Sequence, residues 1–477
     1  MFVDREREFE FLNELLQRTR PTAAQLVLLY GRRRVGKTVL LRQWAESTGL
    51  PTIYWAAEPE PAPLQRRKLY ARLLNVTMPQ APLFEAWDDF WNAASQLLGQ
   101  ERRILILDEI PYAAESDSAF LAALQHAWDH QLKTSNLILL LSGSHVHTME
   151  SFLARGAPLF GRFTGQWRLQ PFAYGLLHHF VPRWAVEERI ALYSIVGGVP
   201  AYLEWLDPNR SLVNNVRDII LSPGGVFLAE PDLLLYDELR DPRRHRSILQ
   251  AIGSGAHTLD AIANLTLTSK THLPAYLARL QELGMVERRL PVTISPNKRL
   301  ASRMGRYHIA DPFLRFYFRF IAPQRAEVGH DTEGVTAYIK EHLRAYVGGT
   351  AFEQLCRQWV EQESGKGRLP FQAQAVGSHW SRRVQIDVVG IRWQSREILL
   401  GECKWGTDDL SQAVVRELIE EKSPRVRQVL PDEGEGWKIY YALFSRTGFT
   451  PAAREFGRQH GAVFVDASQL DRDLKMD

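Results

Sequence analysis

The sequence predicts an α/β protein of several domains, the first of which contains a parallel sheet. Two observations lead to this prediction. From residue 25 to residue 144, strands that are apolar throughout alternate with helices, which is typical of a parallel sheet covered on both faces. The strand at 26–30 runs directly into Gly31-Arg-Arg-Arg-Val-Gly36-Lys37-Thr38, which has the pattern G-x-x-x-x-G-K-[ST]. The first domain therefore has a phosphate-binding loop at the end of a strand.

Length and composition limit the class of protein. With 477 residues, the chain is long enough for about three domains that each bury their own core. Two cysteines, Cys356 and Cys403, indicate a reducing compartment and no disulfide framework. We expect a cytoplasmic protein with no membrane contact, because no apolar run reaches membrane-span length and the N-terminus lacks a signal-peptide core. The net charge of +3 is too small to imply nucleic-acid binding by itself.

Changes in the pattern of elements divide the chain into four predicted parts. Residues 1–170 form the phosphate-loop domain, and the predominantly helical residues 171–235 form a lid. Residues 236–344 are predicted to be a winged helix-turn-helix with a linker, because three helices precede two short strands. Residues 345–477 return to strands and helices and form a second α/β domain.

Each element follows from the spacing of its apolar residues. In the first part the spacing predicts helices at 4–18, 64–74, 84–98 and 119–131, and strands at 26–30, 53–55, 102–107 and 136–141. In the rest of the chain it predicts helices at 243–252, 268–283, 350–359 and 410–422, and strands at 285–290, 306–309, 384–391, 397–405, 438–444 and 462–465. The aromatic run 313–320 is interpreted as a core helix rather than a base-stacking surface, because its spacing fits packing.

The phosphate-binding loop is the candidate site for ATP. Its glycines let backbone N–H groups approach the phosphates, its lysine reaches the β and γ phosphates, and its threonine hydroxyl is a ligand for Mg²⁺. The three arginine side chains are interpreted as charge on the loop rather than as specific ligands. The candidate nucleotide-binding residues are Gly31, Arg32, Arg33, Arg34, Val35, Gly36, Lys37 and Thr38.

Two acids and a serine end later strands of the same domain. Asp108 and Glu109 follow the apolar strand at 102–107, at the end of a parallel sheet where ligands bind. Phosphoryl transfer needs a carboxylate near Mg²⁺ and an acid that orients or deprotonates water. We therefore assign Asp108 to Mg²⁺ and Glu109 to the general base. Ser142 is a candidate to bind the γ phosphate or the water, and a polar strand cap is the alternative interpretation.

Arg162 is a candidate arginine finger, which would reach the γ phosphate of a neighbouring subunit. Arg155 and Arg168 compete for this role, and an ordinary surface arginine fits the same pattern. A finger supplied by a neighbour would make a second copy of the chain a partner.

The stretch from Phe2-Val-Asp-Arg-Glu to Gly197-Gly-Val-Pro200 resembles the archaeal-type AAA+/STAND P-loop ATPases. The resemblance depends on the phosphate loop, the Asp-Glu strand, the Ser-Gly-Ser turn at 142–144 and the Gly-Gly-Val-Pro turn. It implies ATP hydrolysis with Mg²⁺, a nucleotide-driven conformational change and, often, an oligomer. By this resemblance, Ser142 takes the sensor position and Arg162 the finger position.

A second group of charged residues lies in the last domain. Asp387 is in one predicted strand, and Glu402 and Lys404 share one face of the next. Two carboxylates that hold Mg²⁺ and a lysine that positions water meet the needs of phosphodiester hydrolysis. Glu353, on the preceding helix, is a further candidate metal ligand.

The order Glu353, Asp387, Glu402-x-Lys404 resembles the PD-(D/E)XK nuclease fold, also called the restriction-endonuclease-like fold. The whole block resembles the domain of uncharacterised function that commonly follows these ATPases. Some members of the fold have lost their catalytic residues, so an inactive scaffold is the alternative interpretation.

The predicted winged helix is locally basic. Between residues 236 and 306, 12 lysines and arginines stand against 6 acids, and Arg240, Arg243, Arg244 and Arg246 form a cluster. Such a patch suits contact with a phosphate backbone, although winged helices of this ATPase class also serve as rigid connectors. The first residues of a recognition helix would be Thr268, Ser269, Lys270 and His272.

Together these features predict an ATPase that couples nucleotide binding and hydrolysis to a metal-dependent, nuclease-like domain acting on DNA. The alternative is a STAND-type switch or DNA-binding regulator whose last domain is catalytically inactive.

Overall fold

A computed structural model describes residues 3–18, 23–99, 101–239 and 241–475, and the side chains of Asp237 and Glu238 are outside this description. Phe2 and Arg240 lie outside the described residues. The chain divides into two compact units. The first comprises the residues up to Pro171 together with Val199–Ala201, and the second comprises Phe172–Gly198 and the chain from Tyr202 onward.

The first unit contains the predicted alternation of strands and helices. Its helices are α1 (Glu6–Gln17), α2 (Lys37–Thr48), α3 (Ala62–Leu74), α4 (Trp87–Leu98), α5 (Ile110–Ser116), α6 (Phe120–His130) and α7 (Val146–Ser151). Its strands are β1 (Gln25–Tyr30), β2 (Thr52–Ala56), β3 (Arg103–Asp108), β4 (Leu137–Gly143) and β5 (Gly165–Arg168).

These strands form a five-stranded parallel sheet in the order β2-β3-β4-β1-β5. The central strands are buried on both faces: Leu26 and Leu28 pack into one core cluster, and Val27 and Leu29 pack into the other. Full burial explains why β1 and β4 are apolar at nearly every position. The prediction of a parallel sheet covered on both faces is confirmed.

The sequence analysis did not predict β5. This strand is only four residues long, lies at the edge of the sheet and alternates half-buried and exposed side chains. It is aligned by pairing with β1 along Val27–Tyr30, a partner 138 residues earlier. A short edge strand of this kind has too little apolar periodicity to be recognised locally.

The second unit begins with helices. Before the C-terminal domain these are α8 (Leu177–Phe180), α9 (Val186–Val196), α10 (Pro200–Glu204, which contains the boundary between the units), α11 (Leu212–Asn215), α12 (Val226–Glu238), α13 (Pro242–Gly253), α14 (Leu259–Thr266), α15 (Leu273–Glu282), α16 (Pro312–Phe316) and α17 (Thr332–Val347). Two short strands, β6 (Val286–Arg289) and β7 (Arg306–Ile309), pair in antiparallel fashion, as predicted for a wing.

The elements of the C-terminal domain are α18 (Glu353–Gly365), β8 (Ala375–Trp380), β9 (Gln385–Arg392), β10 (Glu397–Lys404), α19 (Gln412–Arg416), α20 (Ser423–Arg427), β11 (Lys438–Ser445), α21 (Pro451–Gln459), β12 (Val463–Asp466) and α22 (Ala467–Leu474). They build a mixed sheet in the order β12-β11-β10-β9-β8. Strand β9 is antiparallel to both β8 and β10, whereas β10, β11 and β12 are parallel to one another.

One predicted helix begins later than expected. The prediction started it at Thr268, whereas α15 starts at Leu273. Pro274 occupies the second helical position, where a proline fits because the first-turn N–H groups have no helical partner. Ser269, Lys270 and His272 therefore lie in the turn before the helix rather than in its first turn, and Thr268 precedes them there.

The aromatic run 313–320 is core, as its spacing predicted. Phe313, Phe316, Phe318 and Phe320 are all fully buried in α16 and the π-helical turn that follows it.

The last helix of the chain is attached to helices near the start of the second unit. Asp471 of α22 accepts hydrogen bonds from the Tyr174 hydroxyl at 2.7 Å and from Arg189 Nη2 at 2.6 Å, and all three residues are buried. The second unit is thus closed by contacts between its first and last segments.

None of the helices in the described parts of the chain has both the length and the apolar composition needed to cross a bilayer.

Gly198 provides a test of the close packing in the second unit. Its carbonyl accepts a hydrogen bond from Phe172 N at 2.7 Å, and a Cβ at this position would lie 1.8 Å from Phe172 O. We expect Gly198→Ala to lower the free energy of unfolding by about 2 kcal/mol or more, because the backbone must shift. Thermal unfolding of the full chain measures this effect.

Gly365→Ala is the matched control, since a Cβ there meets no heavy atom within 4 Å outside its own helix turn. Equal unfolding midpoints for the two variants would contradict the packing described for Gly198.

Candidate functional site

The phosphate-binding loop connects β1 to α2. Gly31 follows β1, and a Cβ on it would lie 2.4 Å from Leu169 O, so only glycine fits there. Lys37 is buried at the start of α2, and its Nζ donates to the carbonyls of Gly31 at 3.0 Å and Arg32 at 3.2 Å. The lysine thus lies across the loop, and its ammonium group is held where the loop's carbonyls converge.

The predicted Mg²⁺ ligands are in contact. Thr38, in the first turn of α2, donates through Oγ1 to Asp108 Oδ2 at 2.7 Å, although β1, which leads into α2, and β3 are separated by β4. Tyr54, on β2, also donates to Asp108 Oδ2, at 2.8 Å. Burial, and then the Asp108 carboxylate, raise the pKa of Tyr54 to about 12, so this phenol remains a donor at neutral pH. Asp108 Oδ2 therefore accepts hydrogen bonds from two hydroxyl groups, those of Thr38 and Tyr54.

Glu109 is held in a strained conformation. Its φ of 50° lies in the left-handed region, which is uncommon for a residue other than glycine. In this conformation Glu109 Oε2 accepts hydrogen bonds from Ser144 N at 2.9 Å and Ser144 Oγ at 2.8 Å. Ser144 follows β4 and thus fixes the carboxylate of the residue that follows β3.

Ser142 lies at the carboxyl end of β4, between the strands that bear the loop and Asp108. Its side chain is fully buried, and its Oγ has no hydrogen-bond partner among the described residues. A buried hydroxyl without a partner is costly, so this position favours a ligand-binding role over a simple strand cap.

Arg162 makes contacts within its own unit. Its Nε and Nη2 form a bidentate pair with Asp129, at 3.0 and 2.7 Å, and its Nη1 donates to the carbonyls of Pro158 and Phe160. The hydrogen bonds from Arg162 lower the pKa of Asp129. Of the two competing arginines, Arg168 pairs with Glu150 and Arg155 is exposed. The finger role of Arg162 stays a prediction, and it would require this pair to open.

The C-terminal charged residues are also brought together. Glu402 and Lys404 share one face of β10, as predicted, and Lys404 Nζ donates to Glu402 Oε1 at 2.8 Å. The other carboxylate oxygen, Oε2, accepts from Lys422 Nζ at 2.8 Å. Glu402 is only 3% exposed, so two ammonium groups neutralise a buried carboxylate.

Glu402, Lys404 and Lys422 line a cavity with a volume of about 390 Å³. Asp387, on β9, and Glu353 line this cavity as well. Asp387 Oδ2 accepts from Cys403 N at 3.1 Å. Burial, and then the charge of Glu402, raise the pKa of Asp387 to about 6.

Glu353 begins α18 and pairs with Arg357, whose Nη1 lies 3.2 Å from Glu353 Oε2 and also donates to Asp387 O. Burial, and then the charge of Asp387, raise the pKa of Glu353 to about 7. The described lining of this cavity has three carboxylates, those of Glu353, Asp387 and Glu402, and three cations, those of Arg344, Lys404 and Lys422. Within the described residues, no group of three or more His, Cys, Asp or Glu is placed to hold a metal ion.

Comparison with known proteins finds a family match in each of two parts of the chain. Residues 2–206 match a family described as an ATPase domain predominantly from Archaea, and residues 317–418 match a family described as Archaea bacterial proteins of unknown function. An uncharacterized protein of Methanocaldococcus jannaschii is 30% identical over 459 residues, which is 94% of this chain and 96% of that protein. The chain belongs to this archaeal-type ATPase family. An uncharacterized ATP-binding protein of the same organism is 47% identical over 47 residues, 10% of this chain and 75% of that protein.

Two solved structures are similar to this archaeal-type ATPase. The Walker-type ATPase of Pyrococcus abyssi is 21% identical with a TM-score of 0.45, and the match covers 67% of this chain and 96% of that one. The Aeropyrum pernix ORC2 protein, in its ADPNP-ADP complexes, is 16% identical with a TM-score of 0.46, covering 71% and 95%.

Sequence reasoning missed four residues of the two sites in this archaeal-type ATPase. They are Tyr54 and Ser144 in the first unit, and Arg357 and Lys422 in the second. Tyr54 lies in a strand that was predicted, and Ser144 lies in the Ser-Gly-Ser turn that was noticed, so both were close to a recognised signal. Arg357 is one helical turn after Glu353, whereas Lys422 has no local signal because it meets Glu402 across 20 residues.

The two lysines on Glu402 give a stability test. We expect Glu402→Gln to lower the free energy of unfolding by about 3 kcal/mol, because Lys404 and Lys422 lose their shared buried counter-ion. Thermal unfolding of the full chain measures this change.

Glu417→Gln is the control, since Glu417 is a half-exposed partner of the same Lys422 at 3.4 Å and should contribute little. If Glu402→Gln unfolds at the wild-type temperature, the ion pairs on Glu402 do not hold this part of the domain together.

Proposed function

We propose that this chain binds ATP with Mg²⁺ and hydrolyses ATP at the carboxyl edge of its parallel sheet. The contact between Thr38 Oγ1 and Asp108 Oδ2 supports this proposal most directly, because it joins the two side chains expected to hold Mg²⁺. Bound there, Mg²⁺ would neutralise charge on the β and γ phosphates. An ATPase-domain match over residues 2–206 agrees with this assignment.

Three further residues would have roles in ATP binding and hydrolysis. Lys37, whose ammonium lies over the loop, would pair with phosphate oxygens in place of the two carbonyls it now contacts. Glu109 would take the proton of the attacking water, and Oε1 is the oxygen suited to this because both bonds from Ser144 end on Oε2. The buried hydroxyl of Ser142 would donate to the γ phosphate or the water.

Two substitutions separate binding from hydrolysis. We expect Lys37→Ala to abolish ATP binding, because it removes the only loop side chain assigned to the β and γ phosphates. Glu109→Gln should still bind ATP but lose about a hundredfold or more in turnover, because the general base is gone. Equilibrium binding of labelled ATP and a phosphate-release assay measure these effects.

Glu46→Gln is the matched control, because Glu46 is exposed on α2 and outside the site. ATP turnover that survives Lys37→Ala would show that this loop is not the ATPase site.

We propose further that the nucleotide state controls a C-terminal domain that cleaves DNA with the help of a divalent metal. The proximity of Asp387, Glu402 and Lys404 in one cavity supports this role. With no three-acid group among the described residues, Asp387 and either Glu402 or Glu353 would hold the metal, and substrate phosphate and water would supply its other ligands. A metal there would polarise the scissile phosphate.

One observation favours the alternative, a STAND-type switch or DNA-binding regulator whose last domain is inactive. Both oxygens of Glu402 are engaged by lysines at 2.8 Å, so Lys404 or Lys422 must move before Glu402 can bind a metal. If the lysines stay on Glu402, the ion pairs are structural and the domain only recognises a partner.

Cleavage assays distinguish the two proposals. We expect the full chain to cut plasmid, linear or single-stranded DNA with Mg²⁺ or Mn²⁺, at a rate that depends on ATP. Asp387→Asn should lose about a hundredfold or more of this activity, because the central carboxylate is neutralised. Gel analysis of the products measures the loss.

The exposed Asp408→Asn serves as the control, since Asp408 follows β10 outside the charged cavity. Absence of cleavage with every substrate and either metal would favour the inactive domain.

A further inference from the structure

A second cavity in the same unit shares Glu353 and Asp387 with the one already described. It has a volume of about 540 Å³ and lies between two parts of the second unit. One wall comes from the end of α13, the hairpin β6–β7 and α16, and the other comes from α18, β8 and β9. The two acids therefore face two cavities, one lined by Lys404 and Lys422 and one lined by the hairpin and α16.

The lining of this cavity is strongly basic. Two carboxylates, Glu353 and Asp387, stand among the described lining residues against five guanidinium groups, those of Arg289, Arg306, Arg315, Arg319 and Arg357. A cavity with this charge ratio attracts anions, and guanidinium groups match phosphate oxygens in geometry.

The arginines are arranged at a cost to the fold. Arg289 and Arg306 lie directly opposite each other in the β6–β7 ladder, where like charges destabilise a hairpin. Arg315 and Arg319 are four residues apart in a continuous helical stretch, which again places like charges on neighbouring positions. An anionic ligand between them would remove both repulsions.

Only part of this charge is balanced within the protein. Arg289 pairs with Glu287 at 2.9 Å and Arg357 with Glu353 at 3.2 Å. In contrast, Arg306, Arg315 and Arg319 make no ion pair with a carboxylate of the described residues. The Nε of Arg315 is buried without a hydrogen-bond partner there. Burial lowers the pKa of Arg306, whose guanidinium lies over the Trp380 ring, 5.0 Å from its centroid.

Histidines contribute polar groups without adding charge. His257 and His308 stack in the wall with their ring centroids 4.3 Å apart. Burial, and then the charge of Arg289, hold the pKa of His308 well below its usual range, so this imidazole is neutral. A neutral imidazole both donates and accepts hydrogen bonds, which suits the hydroxyl groups of a sugar.

The two walls are fixed to each other. In the loop between β6 and β7, Val292 N donates to Ser378 O at 2.9 Å, and Thr293 Oγ1 lies 2.7 Å from His379 Nδ1. Trp380 Nε1 donates to Met304 O at 3.1 Å. The predicted wing therefore lies on the edge strand β8, and the cavity has a set size. Its volume is within the range of about 300–1,000 Å³ that holds a single small ligand.

We propose that this cavity binds a nucleoside monophosphate, with Arg306, Arg315 and Arg319 contacting its phosphate. Where this nucleotide ends a strand, its phosphodiester linkage to the next nucleotide faces Glu353 and Asp387. The ligand is either a free nucleotide or the terminal nucleotide of a single strand, because both present the same group. A duplex is too large for a cavity of about 540 Å³. The orientation of the phosphodiester toward Glu353 and Asp387 rests on the proposed nuclease function, whereas the binding of the phosphate by the arginines does not.

A binding experiment on the full chain tests this proposal. ADP and Mg²⁺ at saturation fill the phosphate-binding loop, and the probe is a fluorescent, 5′-phosphorylated tetrathymidylate. Unlabelled thymidine monophosphate and a blunt duplex are the competitors. We expect affinity to fall about tenfold or more in Arg319→Gln and Arg306→Gln, and further in the double variant Arg315→Gln/Arg319→Gln, because each arginine supplies a charge-assisted hydrogen bond.

Arg325→Gln is the matched control, because Arg325 is exposed in the same segment but does not line the cavity. The unfolding midpoint of Arg319→Gln should equal or exceed that of the wild type, because a repulsion is removed; a simple structural role would lower it. Competition by thymidine monophosphate identifies a free nucleotide as sufficient, and binding of the probe without such competition identifies a strand end.

Equal affinity in all variants, or equal competition by the duplex, would overturn the proposal. Arginine-dependent binding without cleavage would support the cavity and refute the nuclease. Cleavage with an unchanged KM in Arg315→Gln/Arg319→Gln would support the nuclease and refute the cavity.

Discussion

The hydrogen bond from Thr38 to Asp108 links the first turn of α2, which follows β1, to the end of β3, a strand that is not a neighbour of β1 in the sheet. Because β4 lies between β1 and β3, the contact forms only if all three strands end at the same level, and this alignment is set by the parallel register of the sheet. The same alignment places Ser142 at the centre and lets Ser144 reach Glu109. The candidate nucleotide site thus depends on the register of the buried central strands, which close packing keeps rigid.

The C-terminal site depends on charge balance rather than register. A buried Glu402 is stabilised by two lysines and Glu353 pairs with Arg357, while Asp387 lies in a cavity lined by further arginines that have no carboxylate partner among the described residues. These groups give the interior of the domain a polar, charged lining. Such an arrangement costs stability in the free protein, as functional sites commonly do.

Much of the fold was predictable because its signals are local. The phosphate loop, the acids after β3 and the shared face of Glu402 and Lys404 follow from short motifs and from strand periodicity. The signal for the start of α15, Pro274, is also local, but the prediction placed the start of the helix too early, at Thr268. No local sequence signal indicates that Lys422 pairs with Glu402 or Thr293 with His379. The partners are 20 and 86 residues apart, and only folding brings them together.

The bonds of Asp471 have a consequence for biosynthesis. Tyr174 and Arg189 leave the ribosome 297 and 282 residues before Asp471. During this interval the two side chains lack the carboxylate that satisfies them in the finished structure. The second unit therefore completes its folding only after the C-terminal helix has been released, whereas nearly all of the first unit is synthesised by Pro171 and can fold during translation.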